Sequence, residues 1–141
     1  MIIISACLAG VNCKYNGENN KNDKALQLVN KGKAIILCPE ILGGLDIPRI
    51  PCEIVEINNK SRVINKKGID KTTEFYKGAK KTLEIAKIIG ANKAILKSKS
   101  PSCGVGKIYD GSFSGKLVDG NGITADLLIE NGIEVISDNN L

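Results

Sequence analysis

The chain has 141 residues, 43% hydrophobic and 25% charged, enough for one ordinary domain with a proper core. It contains no histidine, which removes the usual general base, the commonest zinc ligand and every Cys–His nucleophile pair. The net charge of +5 comes mostly from lysines scattered among Asn and Glu, with only Arg49 and Arg62 as arginine and 4% aromatic residues. That pattern describes a solvated surface without an arginine stripe or stacking platform, so no nucleic-acid partner is expected.

No apolar run approaches the roughly 18 residues needed to span a bilayer, and no basic leader precedes Ile2-Ile3-Ile4. The expectation is a cytoplasmic protein without a membrane partner. Five cysteines in such a chain suit ligands or reactive thiols better than a disulfide framework. Oligomeric state is not legible.

In chain order, Ile2-Ile3-Ile4 reads as a strand covered on both faces, ending in the small-residue turn Ser5 to Gly10. The polar stretch from Val11 to Asn20 is loop, and Asp23 is placed to cap a short helix closed by Gly32. Ala34 to Leu37 is a second strand, running into Cys38-Pro39-Glu40 and a long irregular connection to Pro51. Glu53 to Ile57 and Arg62 to Ile64, joined through Asn58-Asn59, predict a small hairpin. Asp70 caps the longest predicted helix, with Phe75, Ala79, Leu83, Ala86 and Ile89 at helical spacing. Ala94-Ile95-Leu96 is the next strand. Lys107 to Phe113 reads as a turn or short ribbon, Thr124 as a cap for the last helix, and Ile133 to Ile136 as the last strand.

Helices ending in Gly32, Gly90 and Gly132 are each followed by an apolar strand, the signature of βαβ units. The predicted fold is α/β: a single Rossmann-like three-layer domain over 1–141, with a mainly parallel sheet and a small β-hairpin insertion.

In open parallel sheets, ligands bind beyond the carboxyl ends of the strands. Cys7, Cys38 and Cys103 each follow such an end, so three thiols distant in sequence are expected on one edge. Cys103 lies in Lys97-Ser98-Lys99-Ser100-Pro101-Ser102-Cys103-Gly104, a turn whose N–H groups and ammonium groups suit an anion or anionic cluster. Three thiolates without histidine fall short of a closed four-ligand zinc site. They suit a cubane iron–sulfur cluster that keeps one iron free of protein. Cys13 and Cys52 lie deeper in loops and read as loop cysteines, with a fourth ligand or a resolving thiol as the other roles open to them.

Taken in order, six motifs resemble the thiouracil desulfurase family. They are Ser5-Ala6-Cys7-Leu8; Cys38-Pro39-Glu40 with Gly43-Gly44-Leu45; Pro48-Arg49-Ile50-Pro51; Lys97-Ser98 through Pro101-Ser102-Cys103-Gly104; Ile108-Tyr109-Asp110-Gly111-Ser112-Phe113; and Gly122-Ile123-Thr124-Ala125. The resemblance covers nearly the whole chain. It implies a [4Fe–4S] cluster on Cys7, Cys38 and Cys103, and removal of sulfur from a small thiolated pyrimidine. Thiouracil would become uracil plus sulfide without net electron transfer. The substrate sulfur would bind the iron that lacks a protein ligand, and water would attack the carbon so polarised.

The catalytic residues expected on this reading are Glu40, as the base that activates water, with Ser98 and Ser100. Ser102, Lys97 and Asp110 are expected to bind substrate or balance charge. Each also has a plainer role: Glu40 paired with Arg49 or a lysine, the serines capping their turn, Asp110 shaping an Asp-Gly turn. Competing functions are cluster-dependent sulfur transfer to RNA or a metabolite, and a non-enzymatic metal or cluster carrier, for instance zinc with Cys13 or Cys52 as fourth ligand. No Gly-x-x-x-x-Gly-Lys-Ser/Thr loop is present for the ATP that thiolation of RNA normally needs, which favours desulfuration. A thiol hydrolase built on Cys103 would lack an activating base.

Overall fold

The structure, a computed structural model, describes residues 1–141. Four parallel strands form the central sheet: β1 (Ile2–Ser5), β2 (Ala34–Leu37), β5 (Lys93–Leu96) and β8 (Glu134–Ser137), in the order β2-β1-β5-β8. The chain steps from β1 outward to β2, then returns past β1 to β5. The strand order therefore reverses between β1 and β5, and a crevice opens beyond their carboxyl ends.

Alternation along the strands divides the core into two layers. Ile3, Ala94 and Leu96 pack on one face against Ala86 of α3 (Thr72–Ile88) and Ala125 and Leu128 of α4 (Ile123–Glu130). Ile4 and Ile95 pack on the other face against Ala25 of α1 (Asp23–Asn30). Ile3 and Ile4 are both fully buried. The all-apolar composition of β1 follows from cover on both sides. The predicted three-layer α/β arrangement with a mainly parallel sheet is what forms.

The hairpin insertion is also present. β3 (Cys52–Ile57) pairs antiparallel with β4 (Lys60–Asn65), and Asn58 and Asn59 take left-handed backbone with φ of 53° and 63°. Asn tolerates that conformation through its short polar side chain, which allows a two-residue turn. Ile54 and Val63 face Phe75 and Ala79 of α3, so the hairpin leans on the longest helix. The ribbon expected from Lys107 forms as β6 (Lys107–Tyr109) pairing antiparallel with β7 (Leu117–Asp119).

Three local expectations are corrected. The cap of α1 is Asn22, whose Oδ1 accepts from the N–H groups of Lys24 and Ala25; Asp23 is the first helical residue. The last helix starts from Gly122, which leaves Thr124 inside the first turn and fully buried. Pro39 does not lead into irregular chain but opens a one-turn helix, α2 (Pro39–Leu42), where its fixed φ and missing N–H suit the first helical position. The third change matters most, because α2 carries Glu40.

Candidate active site

A cavity of about 600 Å³ opens at the carboxyl ends of β1, β2 and β5, and all five cysteines line it. Cys7 sits in a 3-10 turn directly after β1, Cys38 between β2 and α2, and Cys103 on the turn after β5. Cys7 and Cys103 are 8% and 4% exposed, and Cys38 is half-buried. The strand-end rule thus brings together the three thiols predicted to converge.

Cys7 and Cys103 each have a polar side chain within hydrogen-bond distance. Asn20 Nδ2 donates to Cys7 Sγ at 3.5 Å, and Cys38 stands at the N-terminal end of α2. Ser102 Oγ lies 3.5 Å from Cys103 Sγ. Cys13, read as a loop cysteine, is 3% exposed and packs in the core cluster with Cys7, with Cys38 at its edge. The neighbouring Cys13 thiol lowers Cys7 and Cys38 to about 7, whereas Cys13 itself is pushed up by those two thiols and by burial. Burial pushes Cys103 up to about 12, and burial with the Glu40 charge pushes Cys52 up to about 11.

The donor set fits an iron–sulfur cluster. It consists of soft sulfur ligands without ring nitrogen, and the Asn20 side-chain N–H is donated to Cys7. The three thiols share one cavity, and no three His, Cys, Asp or Glu side chains are gathered around a single ion position.

Glu40 is held from two sides. Arg49 Nε donates to its Oε1 at 3.0 Å, and both side chains are largely buried, at 10% and 15% exposure. Ser102 Oγ and Ser100 Oγ donate to its Oε2 at 2.8 and 3.3 Å, and the two hydroxyls are 3.0 Å apart. Arg49 also donates to the carbonyls of Asp46 and Cys13 at 3.0 and 2.9 Å, tying α2 to both flanking loops. The plain pairing with Arg49 and the functional placement beside the serines are therefore both present. Sequence reading placed Arg49 only as a possible partner of Glu40; the turn before Pro51 conceals its wider reach.

Lys97 and Ser98 form a separate group. The Lys97 N–H donates to Ser5 Oγ at 3.0 Å, bridging the ends of β5 and β1. Its ammonium group donates to Ser98 Oγ at 2.9 Å and to Asp138, after β8, at 3.3 Å, while Asp138 also takes the Ser98 N–H at 2.7 Å. Both side chains border the cavity, apart from the Glu40 network. Asp110 is not brought to it. That carboxylate accepts from the N–H of Ser112 at 2.9 Å in its own turn, whose hydrogen bonds hold it below the usual carboxylate range, and the cavity wall there is Tyr109 and Phe113.

Known proteins with this chain's features are close. The protein YbbK of Bacillus subtilis strain 168, itself uncharacterized, is 46% identical over 147 residues, spanning 100% of this chain and 97% of its own length. The solved structure of TudS, a [4Fe–4S]-dependent thiouracil desulfidase, matches with a TM-score of 0.91 at 39% identity, covering 99% of this chain and 91% of that one. The 2-thiouracil desulfurase family matches residues 2–140, and with the ordered motifs and the thiol-lined cavity in place, the chain belongs to that family.

Proposed function

We propose that this protein is an iron–sulfur enzyme that replaces the sulfur of a thiolated pyrimidine by oxygen, with Cys7, Cys38 and Cys103 holding a [4Fe–4S] cluster and Glu40 as the base. The observation that carries this reading is the Glu40 carboxylate, held between Arg49 and the Ser100–Ser102 pair on the wall of the cavity the three thiols line. When bound, the cluster supplies a thiophilic Lewis acid, because three thiolates leave one iron without a protein ligand.

The protein residues supply positioning and proton transfer. Arg49 engages Oε1, which leaves Oε2 to face the serine hydroxyls and the cavity. Glu40 takes a proton from water, and the water oxygen attacks the thiocarbonyl carbon. Ser100 and Ser102 relay that proton and orient the ring, while Lys97 and Ser98 offset negative charge that develops as sulfur departs. Thiopyrimidine plus water gives pyrimidine plus hydrogen sulfide, with no electrons exchanged.

The test is anaerobic reconstitution with iron and sulfide, followed by loss of 4-thiouracil absorbance. Glu40→Gln is expected to keep the cluster chromophore and lose about 10²- to 10⁴-fold in turnover. Cys103→Ala is expected to lose chromophore and turnover together. A chromophore with no turnover on any thiopyrimidine would favour sulfur transfer, and a colourless zinc protein would sink the cluster assignment.

A further inference from the structure

Glu53 is a buried carboxylate, 9% exposed, without an ion-pair partner. Burying such a group is expensive unless hydrogen bonds replace its water. Here Oε1 accepts the N–H groups of Gly111 and Phe113, at 2.9 and 3.1 Å. Those residues belong to the turn between β6 and β7, so Glu53 fastens that ribbon onto β3. Gly111 lies against β3 so closely that an added Cβ would sit 2.8 Å from the Ile54 carbonyl oxygen.

What the fastening holds is Phe113, whose φ of 56° places a bulky residue in left-handed backbone. Such conformations are strained and persist only where the surroundings impose them. The ring does not repay this strain through the core. Phe75, the other phenylalanine, is 1% exposed inside a core cluster, whereas Phe113 belongs to none and remains half-buried. Its place is the wall of the thiol-lined cavity. It reaches that cavity from the ribbon, while the thiols, Glu40 and the serines reach it from the strand ends.

We propose that Phe113 is the stacking surface for the pyrimidine ring, and that Glu53 is the positioning residue that sets it there. The inference rests on the thiopyrimidine reading and assigns the residue that selects a flat aromatic ring. A phenyl face matches the π-surface of any pyrimidine, thiolated or not, so it binds substrate and product alike. Its loss raises KM more than it lowers kcat.

The experiment compares the reconstituted wild type with Phe113→Leu, Phe113→Tyr, Glu53→Gln and Glu53→Ala. It measures KM and kcat for 4-thiouracil and inhibition by uracil and by non-aromatic dihydrouracil. Phe113→Leu is expected to raise KM and the uracil inhibition constant by about tenfold or more, with kcat within about threefold and the chromophore unchanged. Phe113→Tyr retains wild-type values. Glu53→Gln, whose amide oxygen still accepts both N–H groups, retains them too, while Glu53→Ala follows Phe113→Leu. Wild type binds uracil more tightly than dihydrouracil, and Phe113→Leu loses that preference.

Wild-type KM and inhibition constants in Phe113→Leu would overturn the assignment while leaving the desulfurase reading intact. Should wild type turn over no thiopyrimidine, the desulfurase reading fails, and calorimetry with uracil decides the stacking role alone. Heat lost in Phe113→Leu supports it. Equal heat in both proteins, or none in wild type, overturns it.

Discussion

Ser102 Oγ donates to Glu40 Oε2 at 2.8 Å, joining the turn after β5 to the first turn of α2 across 62 residues of chain. Arg49 approaches the same carboxylate from the opposite oxygen, so the geometry of Glu40 depends on three separate segments.

Arg49 donates simultaneously to Glu40, Asp46 and Cys13 through a planar fork that a lysine does not reproduce. Arg49→Lys keeps the charge and loses the orientation. The expected result is a fall in kcat of about 10- to 100-fold with unchanged iron content. Single-turnover kinetics beside iron and sulfide analysis checks it.

Helices α2 and α3 touch through Gly43 and Gly78. An added Cβ on Gly78 would meet the Pro39 carbonyl oxygen at 1.9 Å, and one on Gly43 would meet that of Glu74 at 2.0 Å. Gly78→Ala therefore forces α2 outward and moves Glu40 with it. Destabilisation of about 1–3 kcal/mol is expected, together with a loss of turnover. Urea unfolding measures the first and the thiouracil assay the second.

Thr124 is fully buried, and its Oγ1 has no hydrogen-bond partner. Its backbone N–H already reaches the Ser102 carbonyl at 2.9 Å, so the hydroxyl adds only desolvation cost. Thr124→Val is expected to stabilise the fold by about 1 kcal/mol without altering activity. A lower urea midpoint than wild type would count against it.

The hairpin is tied to α3 through Asp70, which stands at about 2 rather than 3.8 because Thr72 and then Arg62 donate to its carboxylate. The Thr72 N–H lies 2.8 Å away, and Arg62 bonds through Nε and Nη2 at 3.0 and 2.6 Å. A folded-state value below the unfolded one means the unfolded chain binds more protons in between. The stabilisation is therefore present in full above pH 3.8 and disappears as pH falls toward about 2. Melting temperatures of wild type and Asp70→Asn should differ near neutrality and converge over that acid window. A constant gap down to pH 2 would remove Asp70 as the cause.

The sequence by itself determined the sheet, the hairpin and the edge on which the cysteines gather. Apolar strands followed by cysteines, and helices closed by glycine, are local signals, and parallel topology turns them into a shared edge. The same reading named Glu40, Ser100 and Ser102, which the structure joins into one network, together with Lys97 and Ser98 on the same cavity. Tertiary structure alone decided the rest. Asp110 faces its own turn, Cys13 lies buried against Cys7 and Cys38, and Arg49 spans three segments. Glu53 and Phe113 meet from positions 60 residues apart. Such contacts depend on how loops fold back over the sheet edge, and no periodicity in the chain records the direction in which a loop returns.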